Sequence, residues 1–232
     1  MMIKPGGSAS LTIDNGNPSI TLSLLWIPPG QFNMGSPEDE PNRHAYDDEK
    51  PFNVIFTSGF WISQFHITNQ QWTRVVECED YESGSFPKTN ITWLEAIEYC
   101  SILGNKFQRL IPDGYHFSLP TEAQWEYTCR AGNLDTYPYQ YSRELFMGIS
   151  WCKENSIGKI NPVGKKQPND WGIYDMPGNV REWCYGIPLV YPTESHVDWI
   201  AEPRLIENGG LKKTNELRIV FLEISKLVHD KT

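Results

Sequence analysis

The feature that most limits the fold is a series of three capping boxes in the middle of the chain. In each box a threonine hydroxyl can accept an early helical N–H, and a side chain three residues later can reach back to the threonine N–H. The boxes are Thr68 with Gln71, Thr92 with Glu95, and Thr121 with Gln124. Glycines at 104 and 132 are predicted to end the second and third helices, so all three helices are short.

Strand patterns surround these helices. Residues 10–30 alternate apolar and polar side chains around the turn signal at 14–17, which predicts a β-hairpin. Residues 54–67 are rich in β-branched and aromatic side chains and predict a strand. Segments 31–51 and 133–170 show little periodicity, and we expect long loops there. With 18 Gly and 17 Pro, the chain should have many turns and few long elements.

Composition limits the partners and the compartment. Hydrophobic residues make up 39% of the chain and aromatic residues 13%, enough for one domain with a real core. The net charge of −9 argues against a nucleic-acid partner, because an acidic surface repels phosphates. No apolar run approaches the roughly 20 residues of a membrane helix, so we expect no membrane partner. The first residues lack the apolar core of a secretion signal, and the expected location is cytoplasmic.

The cysteines do not form a recognisable metal or disulfide pattern. Their number is odd, and no two have C-x-x-C spacing. They are Cys78, Cys100, Cys129, Cys152 and Cys184. A zinc site or a complete disulfide framework is therefore not indicated.

The stretch WGIYDMPGNVREW, residues 171–183, carries the densest polar motif. Two acids, Asp175 and Glu182, lie on either side of a proline-glycine turn and an amide, between two tryptophans. Three interpretations fit these residues: a metal-binding loop, a catalytic site, or a tight turn capped by Asp175.

Five stretches together resemble one known family, that of the formylglycine-generating enzymes or sulfatase-modifying factors. They are IPPGQFNMGSPEDEP, FWISQFHITNQQW, ITWLEAIEYC, SLPTEAQWEYTCRAG and PVGKKQPNDWGIYDMPGNVREW, in this order. The resemblance implies an α+β, C-type lectin-like fold with short helices, few strands and long ordered loops. It implies a family domain at 25–232, shortened near 210–216, with residues 1–24 as an N-terminal hairpin or extension.

The resemblance also implies a structural calcium ion in the 171–183 loop. Its ligands would be the side chains of Asp175 and Glu182 and the backbone carbonyls of Gly178 and Val180. Calcium takes six to eight hard oxygen ligands at flexible angles, which such a set can begin to supply. Some relatives hold a second calcium near the positions of Asn155 and Ser156. The acidic partners for that ion are not evident in the following IGKINPVGKK.

The catalytic part of the family pattern is missing. Active members use a cysteine pair near the C-terminus, copper and oxygen to convert a substrate cysteine to formylglycine. Here RLIENGG at 204–210 and ELRIV at 216–220 resemble the flanks of that segment, but only LKKTN lies between them. No cysteine follows Cys184. Because copper(I) prefers soft thiolate ligands, only Cys152 and Cys184 stay as weak catalytic candidates.

Two further expectations follow from the family comparison. In some secreted members, cysteines matching Cys100 and Cys129 form disulfides with partners in the missing segment, so we expect both to be reduced here. A related branch uses nonheme iron held by clustered histidines. No two histidines of this chain are spaced at i+3 or i+4, which argues against that chemistry; they are His44, His66, His116, His196 and His229.

We therefore predict a non-catalytic member, a pseudoenzyme that acts as a calcium-stabilised binding module. The partner would be a protein or peptide, with a homo-oligomer as a further expectation. Tyr137, Tyr139 and Tyr141 are the candidate partner-binding residues, because aromatic side chains give stiff amphipathic contact surface. The alternative is an active sulfatase-modifying oxidoreductase or a related metal-dependent oxygenase.

Overall fold

The computed structural model describes residues 7–13, 19–38, 50–77, 84–133, 142–186 and 191–199, together with two strands at 218–219 and 223–226. The strands are β1 (Ala9–Ile13), β2 (Ile20–Ile27), β3 (Gly30–Met34), β4 (Phe52–Phe56), β5 (Phe60–Ser63), β6 (Tyr115–Ser118), β7 (Arg181–Glu182), β8 (His196–Val197), β9 (Arg218–Ile219) and β10 (Glu223–Lys226). The helices are α1 (Asn69–Val76), α2 (Trp93–Phe107), α3 (Glu122–Arg130), α4 (Arg143–Ile149) and α5 (Lys153–Ser156).

The strands form three sheets. The largest has the order β1-β2-β5-β10-β6, and every neighbouring pair in it is antiparallel. A second sheet has the order β3-β4-β8, in which β8 runs parallel to β4. The short strands β7 and β9 pair in parallel. This mixture of short helices and small sheets is the expected α+β fold class.

Strand β5 separates two hydrophobic cores. All four of its residues are buried, because helices and sheet cover both of its faces. In the first core, Trp61 packs with residues of β1, β2, α1 and α2. In the second core, Phe60 and Ile62 pack with residues of β3, β4 and α3.

The predicted hairpin forms, whereas the predicted strand at 54–67 is wrong as a single element. β1 and β2 pair antiparallel from Ala9↔Leu24 to Ile13↔Ile20, and the turn at 14–17 lies outside the described residues. Residues 54–67 instead contribute to β4 and β5, which belong to different sheets. Gly59 lies between them, and its backbone comes so close to Trp26 and Ile27 that a Cβ would clash with both.

The predicted division of the chain at residue 24 stays a prediction. β2 runs through that position and pairs with both β1 and β5, so the hairpin is part of the largest sheet. The shortened stretch at 210–216 lies outside the described residues.

All three capping boxes are present, with reciprocal bonds between the threonine and the side chain three residues later. The predicted end of α2 at Gly104 is wrong, because the helix continues to Phe107. Leu103 is fully buried and Phe107 packs against the same core, so tertiary contacts hold the extra turn. In the third helix, the last helical residue is Arg130, close to the predicted end at Gly132.

The sequence predicts a long loop system at 133–170. Within its described part, the structure places two short helices, α4 and α5. The side chain of Asn155 ties them together by donating to the carbonyls of Met147 and Ser150 at 3.3 and 2.9 Å. An ordered loop region therefore exists, but it contains more helix than its lack of periodicity indicated.

Gly59 provides a test of the close approach between β2 and β5. In Gly59→Ala, the added Cβ would lie 2.3 Å from the Trp26 ring and 2.5 Å from the Ile27 carbonyl oxygen. We expect the free energy of unfolding to fall by about 2–3 kcal/mol, as for overpacking of a core. Urea unfolding monitored by tryptophan fluorescence measures it.

Gly104→Ala is the matched control. Its Cβ would meet no atom within 4 Å, and Gly104 lies inside α2. Alanine should therefore stabilise the helix by roughly 0.5–1 kcal/mol. Equal destabilisation by both substitutions would contradict the packing described for Gly59.

Candidate functional site

The loop at 171–183 is fastened to α3 by one amide side chain. Asn169 Oδ1 accepts hydrogen bonds from the N–H groups of Trp171 and Ile173, each at 3.1 Å. Its Nδ2 donates to the carbonyl of Thr128 at 2.7 Å. Ile173 is buried in the second core, so both polar and apolar contacts fix where the loop begins.

The turn at the centre of the loop needs glycine. Gly178 has a φ of 122°, and a Cβ there would lie 2.4 Å from the Trp151 carbonyl oxygen. Next to it, Asn179 exchanges two bonds with the backbone of Asn161, at 2.9 and 3.0 Å. The turn therefore packs against Trp151, between α4 and α5, and against Asn161, which follows α5.

Asp175 carries a buried carboxylate with one oxygen bonded and one oxygen unpartnered. Its Oδ2 accepts the Gly164 N–H at 2.7 Å. Its Oδ1 is buried and has no hydrogen-bond partner. Burial raises the pKa of this carboxyl, while the Gly164 N–H and the charges of His66 and Lys166 act in the opposite direction.

Glu182 carries the second buried carboxylate, and protein donors reach both of its oxygens. His66 Nε2 lies 3.1 Å from Oε1, and the Trp125 indole N–H donates to Oε2. Burial raises the pKa of Glu182, His66 and Trp125 oppose that rise, and the charge of Asp175 adds to it. The two predicted carboxylates are therefore within electrostatic reach of each other.

One oxygen atom of the loop has the character of a ligand for a hard cation. A buried, unpartnered carboxylate oxygen is unfavourable unless a cation or a water completes it, which describes Asp175 Oδ1. A carboxylate or carbonyl oxygen that accepts one hydrogen bond keeps a second lone pair, so Glu182 and the Gly178 carbonyl are still available. Within the described ranges, no group of three or more His, Cys, Asp or Glu side chains could hold a metal, so backbone carbonyls would have to contribute.

The two weak catalytic candidates have different surroundings. Cys152 Sγ lies 3.3 Å from Met147 Sδ, at the junction of α4 and α5. The Cys184 carbonyl accepts the Trp93 indole N–H at 3.0 Å, beside the start of α2. Both residues are thiols, as are Cys100 and Cys129.

Other predicted site residues are engaged or undescribed. Asn155, near the second calcium position of some relatives, caps the Cys152 N–H with Oδ1 at 2.8 Å. Its side-chain oxygen thus serves α5. Tyr137, Tyr139 and Tyr141 lie outside the described residues.

The partners of Glu182 are not evident from the local sequence. His66 follows β5, and Trp125 lies in α3, which places them 116 and 57 residues from Glu182 along the chain. The only local signal was a histidine in the apolar stretch FWISQFHI, whose side chain is fully buried. A buried histidine needs a polar partner, but its identity depends on the fold.

This fold and loop match a known family model. The model, described as a sulfatase-modifying factor enzyme 1-like domain, covers residues 15–188. The chain belongs to this family. The family predicted from the sequence motifs is confirmed.

Relatives of this family carry several different names. A chaperone protein LppX from Paenibacillus barcinonensis is 25% identical, over 90% of this chain and 82% of its own. A formylglycine-generating enzyme from Thermomonospora curvata is 23% identical, over 84% of this chain and 82% of its own. A serine/threonine-protein kinase pkn1 from Chlamydia caviae is 27% identical over 75% of this chain, which spans only 30% of the kinase.

Two solved structures share the fold. Treponema denticola variable protein 1 superposes with a TM-score of 0.68 at 23% identity, covering 84% of this chain and 82% of its own. PvdO from Pseudomonas aeruginosa gives 0.67 at 20% identity, covering 96% and 99%. The predicted α+β fold of the formylglycine-generating family is therefore confirmed.

None of the helices in the described ranges is both long and apolar enough to cross a membrane.

The raised pKa values of the two carboxyls predict a pH effect. Both carboxyls bind a proton more tightly in the folded protein than in the unfolded chain. The free energy of unfolding therefore falls as the pH rises from the ordinary carboxyl pKa through the raised values. Asp175→Asn removes one such group, and asparagine tolerates the φ of 61°. We expect a flatter dependence in EDTA, by about 1.4 kcal/mol for each tenfold difference in proton affinity. Urea unfolding across an acid-to-neutral pH series measures it.

Asp170→Asn is the control, since Asp170 lies in the same segment but is exposed. Its pH dependence should follow that of the wild type. A slope for Asp175→Asn that equals the wild-type slope would contradict the burial effect.

Proposed function

We propose that the chain is a non-catalytic member of its family that binds a protein or peptide partner on a rigid body stabilised by calcium. The observation that carries the binding role is an aromatic surface at 191–199. Tyr191 and Trp199 pack edge-on against the buried ring of Phe52, with centroid distances of 5.4 and 5.2 Å. Both rings stay partly exposed. Such stiff aromatic side chains lose little conformational entropy on binding.

The backbone holds this surface in place. β8 pairs with β4 through Val54↔His196 and Ile55↔Val197. The Asp198 carboxylate accepts the Thr57 N–H at 2.8 Å and also accepts the Thr57 hydroxyl. The Asp198 N–H donates to the Ile55 carbonyl at 2.7 Å. A surface already fixed in one conformation pays less to order itself when a partner binds.

The calcium part of the proposal rests on Asp175 Oδ1. This atom is buried without a partner and lies on the loop that the family resemblance assigns to calcium. Asp175 and Glu182 would hold the ion with the carbonyls of Gly178 and Val180. Bound there, calcium would neutralise the two acids and fix the loop, which is a structural and not a chemical contribution.

The catalytic alternative depends on Cys152 and Cys184. Cys152 contacts Met147 of α4 through its thiol, and Cys184 contacts Trp93 of α2 through its backbone carbonyl. Neither contact joins the two thiols into the pair that copper(I) would need. A reducing, cytoplasmic location remains part of the proposal and agrees with the thiol state of the described cysteines. A second copy of the chain remains a proposed alternative partner.

Calcium should raise the melting temperature of the wild type relative to EDTA. At a calcium concentration of about one hundred times the Kd, the gain is roughly 2.7 kcal/mol. Asp175→Ala should melt lower and show no calcium dependence, because it removes a ligand and the bond to Gly164. Differential scanning calorimetry in calcium and in EDTA measures both effects.

The exposed Asp170 again provides the control, and Asp170→Ala should keep the calcium response. Identical melting of the wild type in calcium and in EDTA would refute the calcium site.

The non-catalytic role is tested by incubating the purified chain with a sulfatase-type cysteine peptide, copper(I) and oxygen. We expect no aldehyde product by mass spectrometry, while an active formylglycine-generating enzyme in the same buffer gives one.

In parallel, affinity purification from the source cells should recover a partner with the wild type and lose it with Trp199→Ala.

Leu94→Ala, which removes an exposed apolar side chain from a different surface, should retain that partner. An aldehyde product would overturn the proposal, and Cys152→Ser and Cys184→Ser would then show whether a new thiol site replaced the missing pair. A partner recovered equally by wild type and Trp199→Ala would remove the 191–199 surface from it.

A further inference from the structure

Ile157 is an unusual residue for its position, because neither the backbone conformation nor packing favours isoleucine there. It follows α5 with a φ of 53°, in the left-handed region that β-branched residues avoid. Glycine or asparagine would suit this helix end better. The side chain is 85% exposed, so burial does not compensate for the strained backbone. Strain combined with an exposed apolar side chain is a pattern found where a surface binds something.

The surroundings hold Ile157 in a defined place. α4 and α5 are joined by the bonds from Asn155 to the carbonyls of Met147 and Ser150. The Lys166 ammonium donates to the Met147 carbonyl at 2.7 Å and lies 4.3 Å from the centre of the Trp151 ring. The turn that presents Ile157 is therefore part of an ordered body.

More apolar side chains are exposed on the same pair of helices. Leu145 on α4 is 56% exposed, and Phe146 beside it is 37% exposed. Together with three exposed cations of the same segment they define the α4–α5 surface, which consists of Arg143, Leu145, Phe146, Lys153, Ile157 and Lys159.

The charge of this region is opposite to that of the rest of the chain. Residues 143–166 contain five Lys or Arg and two Glu, a net charge of +3, whereas the whole chain carries −9. The remainder therefore carries −12. Arg143, Lys153, Lys159 and Lys165 are exposed, and so are the two acids of the segment, Glu144 and Glu154, which leaves an exposed excess of two positive charges. Complementary charge steers a partner to such a patch, and apolar side chains among the cations provide anchors.

We propose that the α4–α5 surface binds an acidic peptide segment of a partner protein, with an apolar side chain of the peptide packed on Ile157 and Leu145. Its carboxylates face Arg143, Lys153 and Lys159. A peptide touches only this patch, whereas an extended anionic membrane would also meet the −12 of the remainder. The inference rests on the proposed binding function and specifies the chemistry of a partner.

The test begins with a display library of random peptides selected on the whole protein. We expect the selected peptides to be enriched in Asp and Glu around an apolar residue. A selected peptide, labelled with fluorescein, should bind more weakly as NaCl is raised. Ile157→Asn should weaken it by about tenfold, as expected for an anchor residue.

Ile157→Asn also separates a binding role from a structural one. Asparagine tolerates the left-handed backbone, so this variant should melt at or above the wild-type temperature while it loses affinity. Leu94→Asn is the matched control, because Leu94 is 65% exposed on α2. It should change the affinity by less than about twofold.

Three outcomes would overturn the inference: no enrichment of acidic peptides, equal affinity for wild type and Ile157→Asn, or Ile157-dependent sedimentation with phosphatidylserine vesicles. The last would assign the surface to lipid instead of peptide. The peptide assay tests the α4–α5 surface, and the aldehyde assay tests the non-catalytic role. Failure of one proposal can therefore be told apart from failure of the other.

Discussion

The buried carboxylate of Glu182 is the interaction on which the arrangement of the site depends. It accepts from His66, which follows β5, and from Trp125 in α3, while its own backbone pairs with β9. Trp125 packs against the second core, and the neighbouring Trp183 packs against the first. Glu182 and its neighbour Trp183 thus connect the loop to both cores. Removing either partner would leave a buried carboxyl oxygen without its hydrogen bond, a loss of about 1–3 kcal/mol for a buried polar group.

Local features of the sequence were sufficient to predict where helices begin. Thr68, Thr92 and Thr121 form their capping boxes because the atoms that bond lie within three residues of each other. The prediction that α2 ends at Gly104 is wrong because the helix end depends on the packing of Leu103 and Phe107 in the first core. The pairing of His66 with Glu182 was not predictable for the same reason. The motif around Asp175 identified the loop, but not the donors that surround it.

The family of this chain shows why the fold alone does not decide the function. Relatives of similar length are named as a chaperone and as a formylglycine-generating enzyme, and the chain also matches less than a third of a kinase. A rigid body with long ordered loops can accept different sites without losing its core. In this chain, the described surface differs in character between segments, with aromatic rings at 191–199 and exposed cations at 143–166. Function in such a family therefore depends on these surfaces and not on the shared fold.

The position of β10 has a consequence for how the chain is made. It pairs with β5 on one side and β6 on the other, although more than a hundred residues separate it from either strand. While the ribosome is still translating that interval, both strands present unpaired edges, which invite pairing with other nascent chains. The largest sheet can be completed only after β10, which ends at residue 226, has left the exit tunnel. Biosynthesis should therefore be the stage at which this protein most needs the protection of chaperones.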